Sequence, residues 1–162
     1  MLPVHDRPEA TEGYEGFSHL CAMQGEVELA TLEYIIRDHD RASFEARKAL
    51  FESAAAFLNA KYGAGTVEVA LRDSYYNMRE KIEPHMAIVE AAQQAMRDAG
   101  VTPRVVPIRG GTDGARLSYE GLPCPNLFTG GENYHGRFEY VPVEDMEAAV
   151  RTLKCILRNA AK

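Results

Sequence analysis

The chain has 162 residues, of which 46% are apolar and 26% charged, and a formal net charge of −6. These values exclude a disordered or fibrous protein, and the acidic balance argues against a nucleic-acid binder, which needs a basic face. No apolar run approaches the roughly 20 residues that cross a membrane. Three cysteines without a CxxC pair fit a reducing compartment, so we expect a cytoplasmic protein with neither membrane nor nucleic acid as partner.

The start of the chain predicts a loop followed by two strands. Residues 1–15 contain turn-forming Pro and Gly residues and no apolar period. Apolar residues alternate over 16–37, but the alternation shifts phase by one residue within this stretch. Because such a shift would exchange the two faces of a single strand, we expect two strands joined by a turn or bulge near Leu29–Thr31.

A helix and a third strand are predicted next. Asp40 is a suitable N-cap, and a seven-residue repeat of aromatic and leucine side chains follows it. Gly63 stands where a left-handed helix cap is common. After it, Val67, Val69 and Leu71 alternate with other residues, which predicts a strand.

The second half of the chain alternates predicted helices with short predicted strands. A helix begins near Pro84 and ends at Gly100. Val105–Ile108 is predicted to be a short buried strand, and a short helix follows the glycine-rich loop after it. Pro125–Thr129 predicts another strand, and the last helix begins near Pro142, with acidic residues at its start and basic residues towards its end. This order of elements predicts an α/β protein.

The first candidate site is the loop Gly110–Gly114, between a predicted strand and a predicted helix. Glycines let the backbone approach a ligand closely, and free N–H groups at a helix start attract anions. The loop lacks the GK[ST] of a P-loop and the GxGxxG of a dinucleotide site. A small anion-binding domain is therefore one interpretation, and a tight turn in which Thr112 or Asp113 caps the helix is the alternative.

The second candidate is His135, within the glycine-flanked loop Gly130–Gly136. A histidine on a loop that follows a strand is well placed to bind a metal ion or to transfer a proton. One histidine is not a metal site, because a catalytic zinc takes about three protein ligands. The alternative is a turn in which the imidazole is merely hydrogen-bonded.

The third candidate is Ser74–Arg79, which holds two tyrosines, an asparagine and an arginine. This set fits a bound carboxylate, with Arg79 as a bidentate donor. Aromatic packing beside a surface arginine is the alternative. Asp38–Asp40 also contains metal-binding residue types, but successive side chains of a strand point to opposite faces and Asp40 already caps a helix, so we expect a structural role there.

Six strings of the sequence resemble a known enzyme family. They are Thr11–Phe17, Tyr34–Asp38, Asp73–Lys81, Ile108–Ala115, Leu122–Gly131 and Asn133–Gly136. In this order they resemble the peptidase T family, the tripeptide aminopeptidases of the two-zinc aminopeptidase/carboxypeptidase superfamily. The resemblance spans nearly the whole chain but only the C-terminal part of such an enzyme, so we expect the chain to be a fragment.

The resemblance implies a division of the chain into parts of two domains. Residues 1–82 resemble the later part of a small βαβ-type lid, or dimerisation, domain. Residues 83–162 resemble the C-terminal segment of the α/β zinc-peptidase catalytic domain. A half-lid exposes strand edges, which invite pairing with another chain, so we expect a homodimer through the lid strands. A non-catalytic dimerisation or binding module is the alternative function.

The resemblance also implies roles for particular residues. His135 corresponds to the last zinc ligand of the family. The substrate-binding positions that it implies are Asn77, Arg79, Arg109, Gly110, Gly111 and Thr112. The other ligands of the two zinc ions and the general base have no counterpart in this chain. We therefore expect a tripeptide substrate for the full-length enzyme, and neither stable zinc nor peptidase activity for this chain alone.

Overall fold

The computed structural model describes residues 2–161, which form two compact units. The first unit holds the chain up to Asn77 together with Val106–Gly111, and the second holds Met78–Val105 together with the chain from Thr112 on. Helices and a small sheet are both present, as the predicted α/β class requires. Within the described range, no helix is both long and apolar enough to cross a membrane.

The first unit contains a β-hairpin, preceded by a short 3-10 helix at Pro8–Ala10. Strand β1 (Phe17–Gly25) pairs antiparallel with strand β2 (Ala30–Arg37). The turn is closed by the N–H of Glu26, which donates to the carbonyl of Leu29 over 2.8 Å. The predicted change of strand is confirmed, with its turn a few residues earlier than expected. A bulge between Leu20 and Ala22 of β1 is a further irregularity.

Helix α1 (Arg41–Tyr62) begins and ends at the residues that the sequence predicts. The Asp40 carboxylate accepts a hydrogen bond from the Ser43 N–H over 2.8 Å, and this bond holds the pKa of that carboxyl below its usual value. At the other end, Gly63 has a φ of +111° and donates its N–H to the Asn59 carbonyl over 3.0 Å. Tyr34 of β2 packs edge-on against Phe51 of α1, which places the helix on one face of the hairpin.

The strand predicted around Val67–Leu71 is wrong, because this segment forms no ladder. The Asn59 side chain accepts from the Val67 N–H and donates to the Val67 carbonyl, both over 2.8 Å. The backbone N–H and carbonyl of Val67 are thus hydrogen-bonded to a side chain and not to a neighbouring strand. Alternation predicts a half-buried segment, but a strand also requires a neighbour, and the described chain supplies none here.

The second unit consists of helices and irregular segments. Its helices are α2 (Arg79–Ile82), α3 (Met86–Asp98), α4 (Asp113–Tyr119) and α5 (Val143–Ala160). Pro84 lies in a 3-10 turn, Glu83–His85, that leads into α3, and Gly100 follows α3 with a φ of +78°. Helix α3 packs against α5. The predicted helices near Pro84 and Pro142 are therefore confirmed.

The strands predicted at Val105–Ile108 and Pro125–Thr129 are both wrong. Val105 and Val106 are 72% and 59% exposed, so the first segment is not buried either. A short apolar run indicates that a segment can form a buried strand. A strand also needs a second segment to pair with, and the run itself does not show where that segment is. No such partner is present between residues 2 and 161.

The buried core is small for a chain of this length. Its members are Phe17, Ala55, Ile82, Ala95 and Ala115, joined by the polar residues Ser118 and Thr152. The chain exposes 12,105 Å² of surface. Two separate domains, each of half the mass of this chain, would together expose about 9,700 Å². The structure therefore leaves about 2,400 Å² more surface in solvent than two ordinary small domains do.

Candidate functional sites

Arg109, in the first unit, is held by the loop that precedes β1. Its guanidinium donates to the Thr11 carbonyl over 2.6 Å and to the Thr11 hydroxyl, and it lies 4.8 Å from the centre of the Phe17 ring. All these partners are neutral, and in the described chain no carboxylate forms an ion pair with Arg109. Its Nε is buried without a hydrogen-bond partner. A cation with neither a counter-ion nor a full set of acceptors suits an anionic ligand.

The two glycines after Arg109 lie against aromatic and cationic side chains. A Cβ on Gly111 would lie 2.4 Å from the Tyr75 ring, so only glycine fits this contact. Arg37 donates from Nη1 to the Arg109 carbonyl over 2.9 Å, and its guanidinium lies 5.9 Å from the centre of the Tyr75 ring. The structure thus joins the loop at Gly110 and Gly111 to the predicted segment at Tyr75. Arg37 was missed from the sequence, although it lies within the resembling string Tyr34–Asp38.

A polar cluster anchors the segment at Tyr75 and Tyr76 to α1. Lys48 donates to the Asp73 carboxylate over 2.9 Å, and the Tyr76 hydroxyl donates to it over 2.6 Å. The hydrogen bond from Tyr76, then that from Lys48, lowers the pKa of Asp73. The same carboxylate, together with that of Glu45, raises the pKa of Lys48 to about 12. The Arg41 guanidinium lies 4.3 Å from the centre of the Tyr76 ring, which completes the cluster.

Asn77 and Arg79 occupy different units and are both exposed. The Arg79 side chain is 77% exposed, and its Nε donates to Glu83 over 2.7 Å along α2. Solvent therefore reaches most of this guanidinium.

Thr112 serves as the N-cap of α4 in the second unit. Its hydroxyl accepts hydrogen bonds from the Ala115 N–H over 3.4 Å and from the Asn126 side chain over 3.2 Å. A Cβ on Gly114 would lie 2.5 Å from the Cys124 carbonyl oxygen, so this glycine allows close packing. The capping interpretation of the glycine-rich loop is confirmed at Thr112.

His135 lies in a tightly built loop of the second unit. Backbone hydrogen bonds of 2.9 and 3.2 Å pair Glu132 with Tyr140 at the base of the loop. Asn133 and His135 have φ values of +56° and +62°, a left-handed conformation that non-glycine residues adopt at a cost. The Glu139 carboxylate accepts from the His135 N–H over 3.1 Å, which helps to fix this conformation.

The His135 imidazole is exposed to solvent. Neither ring nitrogen bonds to any residue that the structure describes, so the interpretation of a hydrogen-bonded turn histidine does not hold. A neutral imidazole nitrogen in this state is a good zinc ligand. Across residues 2–161, no group of three or more His, Cys, Asp and Glu side chains is placed to hold a metal ion. The loop thus offers the His135 imidazole but no complete set of metal ligands.

Asp38–Asp40 is structural, as the sequence analysis expects. Arg47 donates from Nε to the Asp38 carboxylate over 2.9 Å, and Asp40 caps α1. The His39 ring nitrogens lie 3.2 and 3.3 Å from the backbone carbonyls of Tyr14 and Ile108. Each of these three side chains is thus hydrogen-bonded to a backbone group or to an arginine.

Several known proteins are similar to this chain in sequence. Peptidase family M20/M25/M40 matches residues 8–159. Proteins named Peptidase T from Caldanaerobacter subterraneus subsp. tengcongensis and from Shouchella clausii are each 59% identical over 162 residues. The match covers 100% of this chain and 40% of each relative, so the chain spans about two fifths of their length.

Two solved structures have a similar fold. A tripeptidase from Staphylococcus aureus superposes with a TM-score of 0.72 at 20% identity, over 98% of this chain and 43% of the other. The aminopeptidase PepT from Bacillus cereus superposes with a TM-score of 0.58 at 20% identity, over 95% of this chain and 42% of the other. At this identity, the superpositions show the fold alone.

Proposed function

Because the chain belongs to peptidase family M20/M25/M40, we propose that it forms part of a zinc-dependent aminopeptidase that releases the N-terminal residue of tripeptides. The relatives named Peptidase T support this choice within the family. Since the chain spans about 40% of their length, the activity is that of the longer protein. All three cysteines are free, which supports a cytoplasmic protein.

The observation that carries the proposal is the free imidazole of His135. Its backbone is held in a left-handed conformation at a φ of +62°, and its ring is exposed and bonded to no described residue. Strain that places an unused zinc-binding side chain in solvent is typical of a functional position. In this proposal His135 is one zinc ligand, and the longer protein supplies the others.

Bound zinc would supply a Lewis acid and would lower the pKa of a water molecule near the peptide bond. Because His135 is the one zinc ligand that this proposal assigns to the chain, the chain alone would hold no zinc stably and would hydrolyse no peptide. Its own contribution is to hold one ligand in place and to bind part of the substrate.

The substrate-binding part of the proposal rests on the charge of Arg109. Its guanidinium forms hydrogen bonds with neutral groups and no ion pair among the described residues, so a peptide carboxylate would supply the missing negative charge. Asn77 and Arg79 are exposed and carry further donors. Gly110 and Gly111 would allow the peptide backbone a close approach, while Thr112 holds the following helix.

The test joins this chain to the remaining part of a Peptidase T relative in one polypeptide. We expect that protein to retain zinc after dialysis and to hydrolyse a tripeptide with a free N-terminus. His135→Ala should lower both zinc content and turnover at least tenfold, because even the residues that only hydrogen-bond to a zinc ligand typically contribute tenfold or more. His85→Ala, another exposed histidine of the second unit, is the matched control. Full activity of the His135 variant would refute the proposal.

A second candidate function is dimerisation through the hairpin. The sheet has two strands, so within the described chain each has one unpaired edge. Met23 and Leu29 are 71% and 67% exposed near the turn, and Val27 is fully exposed. Exposed edges with apolar side chains favour pairing with a second copy. Sedimentation of the chain alone tests this candidate, and a monomer at every concentration would exclude it.

A further inference from the structure

His39, between β2 and α1, contacts two backbone carbonyls with its two ring nitrogens. Its Nδ1 lies 3.2 Å from the Tyr14 carbonyl oxygen, and its Nε2 lies 3.3 Å from the Ile108 carbonyl oxygen. The rings of Tyr14 and His39 also meet edge to face, with centroids 5.1 Å apart. One half-buried imidazole thus connects two segments that lie 25 and 69 residues from it in sequence.

The Arg109 side chain connects the same two segments. Its guanidinium donates to the Thr11 carbonyl over 2.6 Å, three residues before Tyr14, and its backbone directly follows Ile108. The loop before β1 and the segment that carries Arg109 are therefore bridged at two neighbouring points. A change at one bridge should alter the geometry of the other, because residues of one hydrogen-bonded network are coupled.

The backbone on both sides of the Arg109 Cα is fixed by side chains. His39 contacts the carbonyl of Ile108, which precedes Arg109, and Arg37 donates to the Arg109 carbonyl over 2.9 Å. Each peptide unit is planar, so fixing two successive carbonyls fixes the direction in which the Arg109 side chain leaves the backbone. The contact of His39 with Ile108 therefore contributes to the position of the guanidinium.

The number of protons on His39 decides how many of its contacts are hydrogen bonds. A carbonyl oxygen only accepts, so each ring nitrogen must donate to form its bond. A neutral imidazole has one N–H, whereas the charged imidazolium has two. The charged form bonds both carbonyls, and the neutral form leaves a nitrogen lone pair facing a carbonyl oxygen.

The carboxylates around His39 are bonded to other groups. Asp38 accepts from Arg47 over 2.9 Å, and Asp40 accepts from the N–H of Ser43 over 2.8 Å. The charged side chains next in sequence to the two carbonyls are those of two further residues: Glu15 and Arg109. The Glu15 carboxylate accepts from the Glu12 N–H over 2.8 Å. The imidazole N–H groups are thus left to the two carbonyls.

We propose that His39 is a positioning residue for Arg109 in the peptidase reaction. The imidazolium bonds Tyr14 and Ile108 together and so keeps the guanidinium where the peptide carboxylate binds. This inference rests on the proposed function, which assigns Arg109 to substrate binding. Histidine changes its charge between about pH 5 and pH 8, and loss of the second ring proton releases one of the two carbonyls. Substrate binding therefore contains a component that depends on the charge of His39.

The experiment measures KM and kcat for a tripeptide with the joined polypeptide that tests the proposed function. His39→Phe keeps a ring beside Tyr14 and removes both N–H donors, so KM should rise about tenfold while kcat stays within about twofold. His39→Gln keeps an amide donor and should recover part of this loss. His19→Phe, at a half-buried position of β1 in the same unit, is the matched control and should leave KM within about twofold.

Two further readouts distinguish positioning from a general structural role. The ratio of the KM of His39→Phe to that of the unchanged protein should fall from about pH 6 to about pH 8, because the unchanged protein then loses one of its two bonds. In a chain that also carries Arg109→Ala, His39→Phe should leave KM within about twofold, because it acts through the guanidinium. A ratio that is independent of pH, or an equal effect in both backgrounds, would overturn the inference.

The outcomes separate this inference from the proposed function. A higher KM for Arg109→Ala but not for His39→Phe would overturn the inference and leave the function in place. An unchanged KM for Arg109→Ala would refute the substrate role of Arg109, and the inference with it.

A measurement without substrate covers the case in which the joined polypeptide hydrolyses no tripeptide and the proposed function fails. The Nε–H of Arg109 is buried, so it should give a slowly exchanging magnetic resonance signal. Broadening of this signal in His39→Phe but not in His19→Phe would support the hold of His39 on Arg109. An unchanged signal in both variants would overturn it.

Discussion

The two units of the chain are held together by different forces. In the first unit, charged side chains join residues far apart in sequence: Arg47 binds Asp6 and Asp38, and Lys48 binds Asp73. In the second unit, the described ion pairs join residues no more than four positions apart in sequence. Its α3 and α5 associate through side-chain packing.

This difference indicates how each unit depends on its surroundings. The first unit ties its loop, hairpin and helix together with its own charges, and its stability should depend on those charges and on pH. Among the described residues, the second unit has ion pairs only between residues close in sequence, so its stability should depend less on charge and more on the packing of its helices. Hydrogen exchange reports the opening free energy of each helix separately, so α1 and α5 can be compared within one sample.

The largest expected effect is that of Arg47→Ala on the first unit. The Arg47 and Asp38 side chains are 19% and 6% exposed, so the substitution leaves a buried carboxylate without its cation. Removing one partner of a buried pair costs several kcal/mol, and part exposure reduces this to roughly 2–3 kcal/mol here. Hydrogen exchange should show that loss in α1.

The matched variant in the second unit is Arg151→Ala. Arg151 and Glu147 lie 3.9 Å apart on α5 and are 55% and 67% exposed. Such a pair contributes about 0.3–0.5 kcal/mol at most, so the exchange of α5 should hardly change. Equal losses from the two arginines would show that the units do not differ in the way described.

The next effect in size is that of Gly111→Ala, also in the first unit. The new Cβ would lie 2.4 Å from the Tyr75 ring, so the ring or the backbone must move. Overpacking of this kind costs about 1–3 kcal/mol. Thermal unfolding should show a lower Tm, and Tyr75→Leu in the same chain should restore part of the loss. A Gly111 variant as stable as the original would contradict this contact.

A smaller effect is expected from Thr112→Val in the second unit. The substitution keeps the volume of the side chain and removes the oxygen that accepts from the Ala115 N–H. Loss of an N-cap costs about 1 kcal/mol, and this loss should appear as faster hydrogen exchange in α4. Thr102→Val, at an exposed loop position of the same unit, should leave that exchange unchanged.

The features that the sequence predicts correctly are local ones. The cap at Asp40, the C-cap at Gly63 and the helix after Pro142 depend on residues within a few positions of each other. The strands predicted at Val105–Ile108 and Pro125–Thr129 fail because a ladder needs a second segment, and no local pattern says whether the chain contains it.

For the candidate sites, too, the sequence indicated local features and did not indicate contacts between distant residues. His135 is a candidate because of its glycine-flanked loop, and its role stays a prediction, whereas the family resemblance is confirmed by relatives at 59% identity. Arg37 and Lys48 were missed, because their roles depend on partners 72 and 25 residues away. The contacts of Arg109 with Thr11, 98 residues apart, were beyond any local pattern.

The smallest expected effect is a pH dependence confined to the first unit. Tyr76 and Lys48 lower the pKa of Asp73 in the folded chain, so its contribution is fully present above the unfolded pKa of about 3.9. It is lost as the pH falls through the lower folded pKa. At the other limit, Asp73 and then Glu45 raise the pKa of Lys48 to about 12, so this contribution is lost as the pH rises through that value. Between these limits the cluster should contribute a constant amount.

Asp73→Asn tests this pH dependence, because it removes the carboxylate charge that contributes to the pKa shifts of both Asp73 and Lys48. The exchange of α1, measured from pH 3 to pH 7 and corrected for intrinsic rates, should lose part of its acid dependence in this variant. Glu90→Gln, at an exposed position on α3, should leave that dependence as it is. If α5 showed the same loss on acidification as α1, charge would stabilise both units alike, and the contrast between the two units would not hold.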